Sequence, residues 1–363
     1  MDTFTVPCVR CDEFRARFVA EGFTVLGCEP HSLQADMCIL KYERPTVIPA
    51  MAADPSDVAP DKPAVTSKNA KFGAKPKSKA KAKAQKAGSP PTAASAVPGH
   101  RRFVNVKALN MRATPSATSP ANVLRVLSLG QALELIGDQQ SGWWPVQAAN
   151  RSERGFVKAL IDDANGIGTP GLRLPAEVAR EALVGAAVRQ WERFRLGQGK
   201  ETVDPFFRMV GEMWAAIGLP HDGRDDIPWS AAAISFMVRE AAADHAGYRA
   251  FKFAASHSKF VHDAIRKAGQ AGAPFHAFRL FEHRPQLGDL VARSREGPIT
   301  FEQAAASDAF KSHTDIVVAV HADEVYAIGG NVSDSVGVTR YEKTDSGHLS
   351  ETGGVFALLT NRA

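Results

Sequence analysis

A lysine-rich stretch in the first third of the chain decides how the remainder can fold. Residues 46–100 are rich in Ala, Lys, Pro and Ser and have no periodic apolar positions. Such a composition buries too little apolar surface to offset the conformational entropy of the chain. We therefore predict a disordered, extended linker over residues 46–100. The chain must then fold as one small unit before this linker and as larger units after it.

The positive net charge of the chain belongs to the same stretch. Residues 62–86 contain nine lysines and no acidic residue, and removing these nine charges from the net charge of +5 leaves about −4 for the rest. Folded parts with this charge lack the basic surface of a nucleic-acid-binding protein. We predict no specific nucleic-acid partner, although the linker itself can hold loosely to any polyanion.

The sequence contains neither a membrane-span pattern nor a secretory signal. No stretch approaches the roughly 20 apolar residues that cross a bilayer, and residues 1–20 lack the apolar core of a Sec signal peptide. We expect a protein without a membrane span that is made in the cytoplasm. If it acts in the cell envelope, it must arrive there by non-standard export or delivery.

The segment before the linker, residues 1–45, is predicted to be a small α+β unit of unknown role. Strand patterns cover residues 3–7, 23–26 and 37–42, and a charged helix is expected over residues 12–21. All four cysteines fall here: Cys8, Cys11, Cys28 and Cys38. Zinc ligands and disulfides are both open alternatives, and ordinary buried thiols are our preferred interpretation.

After the linker, short runs of strand-forming residues alternate with turn residues, which predicts a small β-barrel over residues 101–163. The predicted strands are 103–106, 109–112, 123–127, 132–137, 143–147 and 155–160. Three segments resemble the bacterial SH3 family: 108–116 (ALNMRATPS), 142–146 (GWWPV) and 155–157 (GFV). The resemblance implies binding of wall peptides or other ligands. Trp143 and Trp144 face opposite sides of a strand, so we expect one in the core and one in a ligand groove.

The last segment, residues 172–363, is predicted to be an α+β domain that begins with two amphipathic helices, at 178–196 and 206–217. The next helix is expected near residues 225–236 (DDIPWSAAAISF).

The start of that helix contains a candidate nucleophile. Asp225, Asp226 and Pro228 are typical of the cap and first turn of a helix, so Ser230 is expected in its first turn. Unpaired backbone N–H groups and the helix dipole would there favour developing negative charge.

Four segments in this order resemble the papain-like wall peptidases of the CHAP and NlpC/P60 type. They are 228–234 (PWSAAAI), 285–291 (PQLGDLV), 312–318 (SHTDIVV) and 328–336 (IGGNVSDSV). Ser230 stands where those relatives carry cysteine. The serine version is typical of DUF2272, a bacterial family of unknown function, and residues 172–363 resemble that family over about 150 residues. The resemblance implies a papain-like hydrolase fold.

The resemblance also implies a Ser-His-Asn catalytic arrangement. Ser230 is the nucleophile, His313 the base and Asn331 the group that orients the imidazole, while Asp315 is an alternative orienting residue because it shares a strand face with His313. A hydroxyl needs fuller activation than a thiol, so the site is either a working serine hydrolase or a relic that only binds.

Other residues are candidates for contact with the substrate. Trp229, His257, Arg295 and the SH3-like Trp143 and Trp144 are candidate substrate-binding residues.

The histidine and the arginine among these candidates have alternative interpretations. His257 adjoins Ser256, but adjacent residues on a helix diverge, so this pair is not expected to form a dyad. Arg293 and Arg295 either hold a substrate carboxylate or are a solvated strand end. The histidines lack metal-ligand spacing, so neither a metal nor a cofactor is predicted.

The predicted function is cleavage of amide bonds in peptidoglycan, as an amidase or endopeptidase anchored to the wall by the SH3-like domain. The alternative is a catalytically inactive wall- or peptide-binding protein. The missing secretory signal favours an antibacterial effector or a lysin over a housekeeping enzyme. Peptidoglycan or wall peptides are the expected partners, and secretion machinery or an immunity protein would accompany the effector role.

Overall fold

The computed structural model describes residues 2–7, 24–31, 34–43, 100–148, 153–162 and 168–363. In this part of the chain, helices are combined with antiparallel sheets in an α+β fold. The predicted helix over residues 12–21, with Cys8 and Cys11 before it, lies outside the described residues, as does the predicted linker apart from His100.

A three-stranded antiparallel sheet lies at the N-terminus. It consists of β1 (Asp2–Pro7), β2 (Thr24–His31) and β3 (Gln34–Glu43), in the order β1-β3-β2. Each strand overlaps one of the three expected from the alternating pattern. Cys28 lies on β2, and Cys38 on β3 pairs with Pro30 of β2 and Val6 of β1. The choice between thiols, disulfides and zinc remains a prediction.

A second antiparallel assembly follows, here called the central sheet. Its strands are β4 (Arg101–Val104), β5 (Ala108–Arg112), β6 (Val123–Ser128), β7 (Ala132–Leu135), β8 (Trp143–Ala148), β9 (Arg154–Lys158) and β12 (Leu172–Arg173), in the order β12-β4-β7-β8-β9-β5-β6, with β10 (Leu160–Asp162) and β11 (Gly168–Pro170) as a separate pair. The small β-barrel was predicted to end at residue 163. In the structure β12, which follows that residue, pairs with β4 at the edge of the central sheet.

The two tryptophans of β8 are placed differently. Trp143 is buried, at 7% exposure, whereas Trp144 is half-buried and packs against the core formed by Leu109, Leu133 and Val146. Trp144 also lines a small cavity together with Arg102, Ala159, Leu160, Pro170, Leu172 and Leu174. Both tryptophans therefore contribute to the packing of the central sheet, and the groove role of either remains a prediction.

The C-terminal unit is a six-stranded antiparallel sheet with helices. Its helices are α1 (Val178–Arg193), α2 (Phe206–Ala215), α3 (Ser230–Asp244), α4 (His257–Arg266) and α5 (Phe301–Ala306). Its strands are β13 (Phe275–Phe278), β14 (Leu290–Ser294), β15 (Ser312–Val320), β16 (Glu324–Gly329), β17 (Gly337–Glu342) and β18 (Val355–Asn361), in the order β13-β18-β14-β15-β16-β17. None of the helices in the described residues is both long and apolar enough to span a bilayer.

Strand β15 is buried on both of its faces. Ile316 and Val318 join the core that contains α1 and α3, whereas Val317 joins a second core with Val291 and Ala327. Alternate residues of a strand point to opposite sides. At the start of β15, Thr314 therefore points to one face of the strand and its neighbours His313 and Asp315 point to the other.

A buried ion pair fixes α1 to the sheet. The Arg180 guanidinium donates to Asp289 Oδ1 at 2.8 Å, to the carbonyl of Leu287 at 2.6 Å and to the carbonyl of Asn361 at 2.9 Å. Asp289 also accepts from the backbone N–H of Gln286. The Gly-Asp turn that precedes β14 thus supports the fold, which accounts for its place in the sequence pattern.

The central sheet packs directly against the C-terminal unit. Leu129 is fully buried in the core that includes α1, and the Ser128 hydroxyl donates to Glu192 at 3.1 Å. On the other side of the contact, the His321 ring lies 2.6 Å from the Asn105 carbonyl oxygen. The two units share apolar and polar contacts.

Candidate active site around Ser230

Ser230 is the first residue of α3, and no side chain caps the start of this helix. The N-cap is Trp229, which has no side-chain capping bond, and the first turn contains no acidic residue. Asp225 was expected to cap the helix, but its carboxylate instead accepts from the backbone N–H of Asp222 in the preceding turn. The first N–H groups of α3 therefore lack a capping partner beside the Ser230 hydroxyl.

The Ser230 hydroxyl is hydrogen-bonded to His257. Ser230 Oγ lies 2.7 Å from His257 Nε2, and His257 Nδ1 lies 2.8 Å from Thr314 Oγ1. His257 is the first residue of α4, so the starts of two helices meet here against strand β15. Exposure is 3% for Ser230, 4% for His257 and 0% for Thr314. The three residues form a continuous, buried hydrogen-bond chain.

The surroundings of His257 keep its imidazole neutral. Burial, followed by the electrostatic effects of His313, Arg295 and Arg293, lowers the pKa of His257 well below its ordinary value of 6.5. A neutral ring has one donor and one acceptor nitrogen. If Nδ1–H donates to Thr314, Nε2 accepts the Ser230 hydroxyl proton, which is the arrangement that a general base requires.

His313 does not take the position expected of it. Its Nε2 donates to Asp315 Oδ1 at 2.7 Å, and its Nδ1 accepts from an Arg295 guanidinium nitrogen at 2.8 Å. Both ring nitrogens are thus engaged, and the expected Ser230–His313 bond is replaced by the Ser230–His257 bond. Strand alternation explains the exchange, because Thr314 faces α4 while its neighbours point elsewhere. The rings of His313 and His257 are nevertheless close, with centroids 5.2 Å apart.

The Asp315 carboxylate is held from two sides. Besides His313, it accepts from the Tyr341 hydroxyl at 2.5 Å. Burial by itself raises the pKa of Asp315, but the electrostatic effect and hydrogen bond of His313 and the Tyr341 bond outweigh it and lower the pKa below 3.8. Burial and Asp315 raise the pKa of Tyr341 well above 10. Asp315 is therefore an ionised carboxylate in the interior.

Asn331 does not orient a histidine. It lies in the loop after β16 with a left-handed backbone, at φ 53°, and among the described residues no hydrogen bond joins its side chain to His313. Two glycines, at the end of β16 and at the start of this loop, allow close packing instead. A side chain at Gly329 would overlap the Asp315 carboxylate, and one at Gly330 would overlap the methyl group of Ala233. The loop therefore packs its backbone against both strand and helix.

Trp229 is a core residue and not a substrate-binding one. It is 1% exposed, stacks on Phe194 with ring centroids 5.7 Å apart and donates its indole N–H to Glu201. Arg295, by contrast, is exposed and its guanidinium reaches inward to His313.

Sequence reasoning missed two features of the site: His257 as the partner of Ser230, and Thr314 as the partner of His257. The sequence signal for His257 is its place at the start of a helix, directly after Ser256, with the two N-termini 27 residues apart. For Thr314 the signal is strand alternation, since it faces the opposite side from His313 and Asp315. Neither signal identifies which side faces α3.

Comparison with known proteins supports the C-terminal family resemblance. Residues 191–359 match the family described as "Uncharacterized protein conserved in bacteria (DUF2272)", which confirms that resemblance for this part of the chain. No curated protein matches the sequence. The resemblance of the central sheet to bacterial SH3 domains remains a prediction.

Two solved structures from Trichomonas vaginalis show a distant likeness. The first, "Structure of NlpC2 from Trichomonas vaginalis", has 10% sequence identity and a TM-score of 0.26, and the match covers 72% of this chain and 73% of that chain. The second, "Structure of NlpC1 from Trichomonas vaginalis", has 8% identity and a TM-score of 0.24, covering 72% and 69%. TM-scores this low carry no argument about fold or function.

Proposed function

We propose that the C-terminal unit is a serine-dependent hydrolase of amide bonds in peptidoglycan peptides, with Ser230 as nucleophile and His257 as general base. The hydrogen-bond chain from Ser230 through His257 to Thr314 is the observation that carries this proposal. A serine at the start of a helix, packed against an antiparallel sheet, is also the arrangement expected of a papain-like enzyme, which supports assigning that fold.

The reaction follows from the positions of these groups. Ser230 Oγ attacks the scissile carbonyl carbon while its proton moves to His257 Nε2, and the carbonyl oxygen becomes an oxyanion. The uncapped N–H groups at the start of α3 stabilise that negative charge. His257 then gives the proton to the leaving amine as the C–N bond breaks. A water molecule, deprotonated by His257, hydrolyses the acyl-enzyme and restores Ser230.

The surroundings of His257 favour proton donation to the leaving amine over proton removal from Ser230. Thr314 is neutral and stabilises an imidazolium less than a carboxylate would. Arg293 and Arg295 add to the cost of charging the ring. The same low pKa makes protonated His257 a strong acid toward the leaving amine. We therefore expect a slow enzyme limited by activation of Ser230.

The central sheet is assigned the role of holding wall peptides, on the basis of its SH3-like sequence segments. Delivery as an antibacterial effector or lysin accompanies this proposal, with an immunity protein or secretion machinery as its partners. These assignments depend on the sequence resemblance and on the hydrolase proposal.

A binding protein without catalysis is the second candidate. It is favoured by the burial of the nucleophile and its base, at 3% and 4% exposure, because a substrate carbonyl must reach Ser230 for attack.

Incubation of purified wall fragments with the full-length protein, followed by mass spectrometry of released peptides, separates the two candidates. We expect Ser230→Ala to abolish release while wall pull-down persists, and His257→Ala to slow release by at least about 100-fold. His262→Ala is the matched control, since His262 lies on the same helix but bonds to the Ala304 carbonyl. If wild type and all variants bind wall and none cuts it, the binding role stands.

Ser230→Cys adds a direct probe of the site. It introduces the thiol that papain-like relatives carry, and we expect retained or increased activity that alkylation inhibits. The four native cysteines all lie before residue 39, so the modified peptide containing position 230 is distinguishable by mass.

A further inference from the structure

Two arginines on and after β14 converge on the buried histidine that does not contact Ser230. Arg293 pairs with His313 across the β14–β15 ladder, and the Arg295 guanidinium donates to His313 Nδ1 at 2.8 Å. Because a guanidinium only donates, this nitrogen must be the acceptor and the ring proton must reside on Nε2. The contact with Asp315 fits that tautomer, since Nε2–H donates to Oδ1 at 2.7 Å.

This chain of contacts forms a rigid support for Arg295. His313 and Asp315 are each 0% exposed, and Asp315 is further held by the Tyr341 hydroxyl. Arg295 is exposed at the other end of the chain. The buried residues thus hold an accessible guanidinium in one place, which reduces the conformational freedom it would lose on binding a ligand.

The positive charge of the arginine pair is offset by one nearby carboxylate, that of Asp315. Within the described part of the chain, neither Arg293 nor Arg295 has a carboxylate within ion-pair distance, and the buried Nε of Arg293 has no hydrogen-bond partner. The Arg293 guanidinium is nevertheless hydrogen-bonded to Tyr341. Asp315 is the ionised carboxylate of the cluster, against two guanidiniums. Two guanidiniums against one carboxylate leave a net positive charge, which attracts an anionic ligand to the exposed Arg295.

The pair lies next to the proposed catalytic residues. The charges of both arginines contribute to the lowered pKa of His257, whose Nε2 is bonded to Ser230. The His313 ring, which Arg295 contacts, has its centroid 5.2 Å from that of His257. An anion bound by Arg295 would therefore lie across the His313 ring from His257, within reach of a peptide that extends from Ser230.

We propose that Arg293 and Arg295 form a carboxylate-binding subsite that selects peptides with a free carboxylate beside the scissile amide. His313 and Asp315 are positioning residues that act through Arg295. The planar fork of a guanidinium matches the two oxygens of a carboxylate, which a neutral amide cannot replace. This inference rests on the proposed hydrolase function and specifies its substrate class.

The test measures binding without turnover, in the full-length Ser230→Ala protein. The probes are N-acetyl-Ala-Ala with a free carboxyl terminus and the same dipeptide as its C-terminal amide, titrated by NMR. We expect the acid to bind roughly tenfold tighter or more, the scale of a charge-assisted hydrogen bond. Arg293→Gln and Arg295→Gln should each reduce that preference, and the double variant should remove it. Arg266→Gln, at an exposed arginine at the end of α4, should leave it unchanged.

The positioning role has its own readout. Glutamine at position 313 retains one donor for Asp315 and one acceptor for Arg295, so we expect His313→Gln to preserve the acid preference and His313→Leu to lose it. Equal binding of acid and amide, or a preference that survives the double arginine variant, would overturn the inference. In that event Ser230-dependent cleavage by the wild type would leave the hydrolase proposal standing. Conversely, an intact acid preference without any cleavage would overturn the hydrolase proposal alone.

Discussion

At the scale of single residues, the unusual feature is a hydroxyl in a place associated with a thiol. A thiol–imidazole pair can ionise before substrate arrives, whereas in the proposed reaction Ser230 would lose its proton during attack. His257 suits this requirement, because it is neutral and already bonded to the hydroxyl. His313 does not, because its acceptor nitrogen is occupied by Arg295. The choice between two buried histidines is thus made by their hydrogen-bond partners.

The pH dependence of cleavage should show which histidine is the base. Protonation of His257 removes its acceptor, so activity must fall on the acid side. Because burial and the neighbouring positive charges lower the pKa of His257 well below 6.5, we expect kcat/KM to persist below pH 6.5 and to fall only at more acidic pH. Arg295→Gln removes one of those charges and should move this fall toward higher pH. A half-maximal loss at or above pH 6.5 in the wild type would contradict the assignment.

At the scale of elements, β15 is a strand with two separate polar faces. Thr314 supports His257 on the helix side, whereas His313 and Asp315 support Arg295 on the other. Glycines at the end of β16 and in the loop after it pack closely against β15 and α3. The Gly329 backbone lies beside the Asp315 carboxylate, so any side chain at position 329 would overlap that carboxylate.

Gly329→Ala should therefore disturb the buried cluster. The added methyl group must displace Asp315 or bend the strand, and we expect the free energy of unfolding to fall by at least about 2 kcal/mol, measured by urea denaturation. The matched control is Gly185→Ala in α1, where a flexible Arg189 side chain is the neighbour. There stability should be unchanged or increased by up to about 1 kcal/mol. Equal effects of the two changes would show that the Gly329 contact is unimportant.

At the scale of the whole molecule, the central sheet and the C-terminal unit are joined by a shared core. Leu129 extends from the turn after β6 into the core built around α1, and the Ser128–Glu192 and His321–Asn105 contacts flank it. Wall binding and cleavage would then take place on one continuous body. The division of residues 101–163 and 172–363 into two domains remains a prediction.

Leu129→Ala tests whether these two units unfold together. Leu129 is fully buried, so its truncation should cost about 2–5 kcal/mol and lower a single thermal transition. Leu124→Ala, at a residue 43% exposed on the same sheet, should change stability by no more than about 0.5 kcal/mol. Two resolved transitions, of which only one responds to Leu129→Ala, would indicate independent domains.

Local patterns in the sequence were sufficient for the element types and for the helix that begins at Ser230. Alternating and helical periodicities, turn residues and Pro228 act within a few residues, and the family match over residues 191–359 agrees with the sequence segments. The partner of Ser230 was not accessible in this way. His257, Thr314 and Ser230 come from two helices and a strand, and only their packing brings them together. Which of two neighbouring side chains of β15 faces the helices depends on how the sheet docks, and a one-residue shift in that docking exchanges Thr314 for His313.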